Sequence, residues 1–261
     1  MTAVMEIRHR ATLPASPEAV WEAVATGPGT RRWLFPVEID GRVGGTFSRG
    51  PSTITAWEPP SRFSCRYEGE EGFVATLNHH ISAGHDRSTA VLDAQVRWES
   101  PGPTDETWTR REDAARCHTA LYYHNLAEYL NHFSGLDATY VAVDQTGATG
   151  FEDSASLRRA LGISVSTEVG DPVELVAAGR TVPTVVDVLT PHFVGLRGPA
   201  GLYRFLGRSE WGWPIGVAHH LYGPEASVAS LEADWAQWLR DVVGDSQGPV
   251  DASAAPGGEV E

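Results

Sequence analysis

The chain predicts an α+β fold in which a curved antiparallel sheet is closed by one long helix, built twice in tandem. Three observations predict it. Apolar residues fall on alternate positions through three consecutive segments (Phe63, Cys65, Tyr67; Phe73, Ala75, Leu77; Ala90, Leu92, Ala94, Val96, Trp98), the mark of an antiparallel sheet with one buried face. Residues 106–132 contain neither Gly nor Pro and favour a long helix, roughly 40 Å at 1.5 Å per residue. After residue 138 the same order of strand, helix, meander and long helix returns.

Taken in order, residues 4–12 (VMEIRHRAT) alternate as a first strand. Ser16-Pro17-Glu18 supplies an N-cap, a proline at the first helical position and an acid in the first turn. Val20, Trp21 and Val24 mark that helix's apolar stripe, and Gly27-Pro28-Gly29 should stop it. A short helical piece is expected over 30–34, then strands over 37–39, 45–49, 52–57, 62–67, 72–81 and 88–98, joined by turn-like linkers. The long helix at 106–132 must cover the sheet's apolar face, with Ala114, Cys117, His118, Leu121, Asn125 and Tyr129 on one side of it.

In the second half, 138–145 reads as a strand and Asp153 as the cap of a short helix, SASLRRALG, stopped by Gly162. Strands follow at 171–178, 182–188, 192–197, 202–206 and 215–221. A last helix over 224–244 carries Val228, Leu231, Trp235, Trp238, Leu239 and Val242 at helical spacing. The expected division is residues 1–135, a shortened second copy over 136–245, and a disordered acidic tail over 246–261. The competing reading of the second half is an extension packed on the outer face of the first module.

Composition excludes several functions. The net charge of −14 opposes nucleic acid and anionic membranes as partners. All 20 basic residues are Arg, so Schiff-base catalysis and a P-loop lysine are impossible. Only Cys65 and Cys117 are present, with no CxxC, no leader-like start and no apolar run long enough to span a membrane, so a reduced cytoplasm is the expectation.

The first half carries Pro-x-x-Val-Trp in its helix (Pro17–Trp21, PEAVW), Arg32-Trp33-Leu34 after the break, Val43-Gly44-Gly45-x-Phe47 and Trp57-Glu58-Pro59-Pro60-x-Arg62-Phe63. In this order, and with the long helix after them, these motifs resemble the START-like SRPBCC superfamily and its helix-grip fold. Within it, residues 4–133 look like the bacterial family named after the activator of the heat-shock protein 90 ATPase. The family often shows Gly-Trp where Arg116-Cys117-His118 stands here. The resemblance implies a cavity between sheet and helix, and allows polyketide cyclase or aromatase chemistry, or contact with a chaperone.

Candidate chemistry is sparse. Gly244-Asp245-Ser246-Gln247-Gly248 matches G-x-S-x-G but follows a helix, whereas a nucleophile elbow follows a strand. The pairs His79-His80 and His219-His220 lie on expected strands, where neighbours point to opposite faces, so neither chelates a metal. No metal or other cofactor is expected. The concave face is the candidate site, lined by Trp33, Phe47, Trp57, Phe63, Tyr67, Phe73, Leu77, Leu92, Trp98, Leu121 and Tyr122, with His79, His118 and Asn125 as the polar groups. His118 is the candidate acid/base. The reading is a binding protein for a small hydrophobic or aromatic molecule. Its alternatives are a cyclase using the same cavity and a module for a protein partner or homodimer, for which Trp211-Gly212-Trp213-Pro214 would form a lip.

Overall fold

The computed structural model describes residues 2–47, 52–86, 88–102, 104–145, 151–224 and 227–244. The first half runs β1 (Thr2–Leu13), α1 (Pro17–Ala25), α2 (Gly27–Thr30), β2 (Thr46–Phe47), β3 (Ser52–Glu58), β4 (Arg62–Glu68), β5 (Val74–Ala83), β6 (Ala90–Pro101) and α3 (Glu106–His132). The second runs β7 (Thr139–Asp144), α4 (Phe151–Ala160), β8 (Pro172–Ala177), β9 (Arg180–Leu189), β10 (Phe193–Gly198), β11 (Gly201–Leu206), β12 (Gly216–Leu221) and α5 (Val228–Gly244).

Two six-stranded sheets result, ordered β1-β6-β5-β4-β3-β2 and β7-β12-β11-β10-β9-β8. The orders are the same: a five-strand meander whose last strand returns to pair with the first, helices inserted after that first strand, and a long helix after the sixth. This is a helix-grip architecture made twice. By compactness the chain divides into a first unit of residues 1–141, 200–203 and 219–226, and a second of 142–199, 204–218 and the residues from 227. The first unit is therefore discontinuous in sequence: Leu202 and Tyr222 belong to its core, where Tyr222 stacks on Phe133 at 4.1 Å and donates its hydroxyl to Arg32 O at 2.6 Å.

Local chemistry explains the elements. Ser16 Oγ accepts from Ala19 N at 3.3 Å, and Pro17 begins α1. Gly27-Pro28-Gly29 does more than end that helix, since it makes α2 itself. Thr26 Oγ1 caps Gly29 N at 3.0 Å, and a Cβ on Gly29 would lie 1.8 Å from Glu22 O. The helical piece expected at 30–34 thus comes three residues earlier. The strand expected at 37–39 reduces to one bridge, Ile39 with Phe47, because the chain there crosses the sheet's edge rather than joining it. Of the strand expected at 45–49, β2 takes Thr46–Phe47, and residues 48 and 49 lie outside the described residues.

Asp105 Oδ1 accepts from Trp108 N at 2.8 Å and starts α3, which runs the 27 residues to His132. In the second half α4 begins at Phe151, so Asp153 lies inside the helix rather than capping it. The last helix starts at Val228, four residues later than expected, because Ser227 Oγ takes the cap by accepting from Ser230 N at 3.3 Å. The Gly244–Gly248 motif beyond Gly244 and the acidic tail lie outside the described residues.

The β8–β9 hairpin pairs Ala177 with Arg180 across a two-residue loop in which Ala178 has φ +49° and Gly179 φ +69°. A left-handed pair is the turn that matches strand twist, but its first position suits Asn, Asp or Gly, and a Cβ there costs on the order of 1 kcal/mol. Ala178→Asn is expected to stabilise the fold by about 0.5–1 kcal/mol, read as a higher urea midpoint with an unchanged m-value.

Candidate functional site

Strand register lays out the concave face of the first sheet in rows. One row is Phe63, His79, Ala94 and His9; the next is Cys65, Leu77, Val96 and Ile7; the third is Tyr67, Ala75, Trp98 and Met5. Rows are two residues apart, roughly 6.6 Å. The opposite face is polar, with Glu6, Arg8, Arg97 and Glu99 linked in surface ion pairs.

The first row is sealed. His79 Nε2 and the Tyr123 hydroxyl lie 2.7 Å apart, and the Tyr123 ring stacks on His9 at 4.7 Å and 11°. Ala94, between the two histidines in the register, is small enough to leave room for that ring. Trp33 packs 6.2 Å from Tyr123 and donates its indole N–H to Ala23 O at 2.8 Å. Phe47, Phe63 and Leu92 are buried in the same cluster, with Trp57 half-buried against Phe63 at 5.9 Å. Burial pushes His79 down to about 3, with a smaller push from His80, and raises the Tyr123 phenol. The pair is neutral on both sides. His79 Nδ1 is buried with no hydrogen-bond partner among the described residues.

The next rows are less closed in their middle. Leu77, Val96, Ala75, Trp98 and Tyr67 are half-buried, although all lie on the interior strands β4, β5 and β6, while Ile7 and Met5 at the β1 end of these rows are buried. Phe73 stands between Tyr67 (6.2 Å) and Trp98 (5.9 Å). On α3, Ala115 packs against the Trp108 cluster together with Val96 and Trp98, and His118 and Tyr122 are half-buried. Tyr122 meets Phe35 edge-on at 5.7 Å. His118 Nδ1 lies 2.8 Å from Ala114 O, which can only accept, so Nδ1 donates. Cys65, at the end of the middle row, is buried and its thiol is pushed up to about 12, which keeps it unreactive.

Leu121 and Asn125 stand apart from this face. Both are buried, but the cluster packed on the sheet takes Tyr122, Tyr123, Leu126, Tyr129, Leu130 and Phe133 from α3. Leu121 lies about 200° around the helix from Tyr123. The middle turns of α3 are buried around much of their circumference (Thr119, Leu121, Tyr123, Asn125, Leu126), so spacing alone could not rank its stripes: of the expected face, Tyr129 joins the cluster on the sheet and Leu121 does not. Tyr123 and His9 were missed. The signal for His9 was present, since it continues the inward parity of Ala3, Met5 and Ile7.

The remaining candidates are placed as follows. His79 is buried and His80 exposed, as alternation requires, whereas His219 and His220 are both buried because β12 has almost no open face. Cys65 and Cys117 are free thiols. Trp211 is buried, with its ring 4.1 Å from His192, which leaves Trp213 as the exposed tryptophan of the expected lip. Among the described residues no helix is long and apolar enough to cross a membrane.

No protein-family model matches the chain, and no curated protein does. Among solved structures, the di-domain ARO/CYC BexL from the BE-7585A biosynthetic pathway shares 16% identity over 96% of this chain and 99% of its own, with a TM-score of 0.40. DynU16, a protein of the dynemicin biosynthetic locus, shares 14% over 92% and 98%, also at 0.40. Protein MLL2253 from Mesorhizobium loti shares 14% over 49% and 98%, at 0.41. Likenesses at this level assign no function to the chain.

The sealed pair has a pH signature. Because His79 titrates near 3 when folded, against 6.5 in the unfolded chain, between those values the unfolded state binds a proton that the folded state does not. Its contribution is whole at neutral pH and is lost as pH falls below about 6.5, with a slope approaching about 1.4 kcal/mol per pH unit. His79→Gln keeps a partner for Tyr123 and removes the titration. Urea unfolding from pH 7 down to about pH 5 should show a shallower loss of stability in that variant than in the parent.

Proposed function

We propose that the first module binds a small hydrophobic or aromatic molecule between its concave sheet face and α3. One observation carries this reading: Ala75, Leu77, Val96 and Trp98 are half-buried on the apolar side of interior strands, where Leu92 and Phe63 nearby are closed off. Apolar surface left open in a concave site stabilises a ligand by roughly 25 cal/mol per Å² when covered. Of the expected lining, Tyr67, Phe73, Leu77, Trp98, His118 and Tyr122 would touch the ligand. Trp33, Phe47, Phe63, Leu92 and His79 would form the rigid wall behind them, with Trp57 at its edge. Leu121 and Asn125 would support α3 from its other side.

The element order supports placing this module in the START-like superfamily. The finer likeness to the heat-shock-ATPase-activator family rests on the sequence motifs alone. We read the chain as modules at residues 1–135 and 136–245 followed by an acidic tail. Two free thiols fit a reducing compartment such as the cytoplasm. A docking role for a protein partner or a homodimer has less support, since Trp211 is inside the fold.

The second reading is catalytic use of the same cleft, in the manner of a cyclase or aromatase. The favouring observation is His118, a half-buried imidazole on α3 whose Nδ1 donates to Ala114 O. Such chemistry needs a shaped site and one proton-transfer group rather than a nucleophile.

Native mass spectrometry of the chain purified from its host should show a bound small molecule, and phenylnaphthylamine should bind with enhanced fluorescence. Leu77→Trp fills the half-buried rows and should weaken binding at least about tenfold with the circular dichroism spectrum unchanged. Absence of cargo together with absence of probe binding would overturn the reading. His118→Ala separates its two forms: binding retained with turnover lost indicates an enzyme.

A further inference from the structure

The second unit carries an open surface cleft of about 510 Å³. One wall is the β8–β9 turn, with Ala178, Gly179 and Arg180; the other is a single stripe of α5, formed by Asp234, Gln237, Trp238 and Asp241. That spacing is i, i+3, i+4 and i+7, so the four side chains share one helix face. The volume lies within the range of about 300–1,000 Å³ typical of small-molecule sites.

The Trp238 ring is braced by Phe205 at 5.6 Å and Trp235 at 5.5 Å, yet the residue remains half-buried. Gln237 Oε1 accepts from Arg240 at 2.7 Å, and its Nε2 donates to Asp241 Oδ1 at 2.7 Å. Asp234, Gln237 and Asp241 are exposed, so hydrogen-bonding groups stand in solvent beside a braced indole. The turn opposite holds Ala178 at φ +49°, a conformation an L-residue avoids, and presents only a methyl at the cleft's rim.

We propose that this cleft binds a polyhydroxylated ring, a sugar either free or as a glycoside. An indole face accepts the C–H side of such a ring, while carboxylates accept from its hydroxyls and a guanidinium or carboxamide donates to its oxygens. Competing classes fit the lining less well. Two aspartates and a chain charge of −14 repel anions, a purely apolar ligand would leave the polar groups uncovered, and a polyamine, the cationic rival, is tested by competition.

Saturation-transfer NMR on the full chain, with methyl glycosides of glucose, galactose, mannose and N-acetylglucosamine, tests this. Transfer to ring C–H protons is expected for at least one of them, with a Kd on the order of 1 mM. Asp241→Ala, at an exposed position, should weaken it by about fivefold or more, and Trp238→Phe should lessen it while keeping the core packed. Phenylnaphthylamine binding in both variants should equal that of the parent, which separates this cleft from the one on the first sheet. No transfer from any glycoside at about 10 mM, transfer indifferent to both substitutions, or displacement of the glycoside by spermidine would each overturn the proposal.

Discussion

The hydrogen bond between His79 and Tyr123 is the contact on which the first module depends. A helix of 27 residues laid on an apolar sheet is free to slide, because hydrophobic contact has no direction. A buried polar pair does have direction, and leaving either member unpaired costs about 1–3 kcal/mol. Tyr123 is therefore pinned over one row of the sheet, with His9 beneath its ring. From that pin, Leu126, Tyr129, Leu130 and Phe133 pack closely into the core. A second anchor stands near the other end of α3, where Trp108 clusters with Ala3, Met5 and Ile7. Phe73, Val96, Trp98 and Ala115 pack against that second cluster, and the rows of Leu77 and Ala75 remain half-buried beside it.

The second module repeats the strand order without repeating the burial. Every residue of β11 is buried, and β10 is nearly so, whereas the first sheet keeps one polar face. Arg204 on β11 reaches Asp187 on β9 through two short contacts of 2.9 and 2.7 Å, with both side chains almost wholly enclosed. A Cβ on Gly195 would lie 2.8 Å from both partners, so the pair and the glycine require each other. A pair of this kind adds little net stability over apolar packing, but breaking one side is expensive. One topology thus serves two environments, and low residue identity between the halves is the expected result.

How much could be read in advance depended on whether a local pattern had one physical meaning. Strands β4 to β6 were legible because one face is wet and the other dry, so alternation reports the buried side directly. The extent of α3 was legible because Asp105 caps it and no Gly or Pro interrupts it. At 37–39 the pattern misled, since an extended segment can cross a sheet edge without pairing. Gly27-Pro28-Gly29 misled in the opposite direction, because the usual breakers also fit a single tight turn whose neighbour needs the space.

The sequence by itself determined the class of fold, the repeated element order, the inward parity of strands β4 to β6, and the absence of lysine chemistry. Tertiary structure alone decided which stripe of α3 meets the sheet, since that helix has buried side chains around most of its middle turns and periodicity cannot rank them. It also decided which aromatics seal the wall and which stay open, and that Leu202 and Tyr222 complete a core begun over a hundred residues earlier. Periodicity describes a segment's own geometry. Burial is a property of what comes to lie against it, and that is settled only when distant parts of the chain pack together.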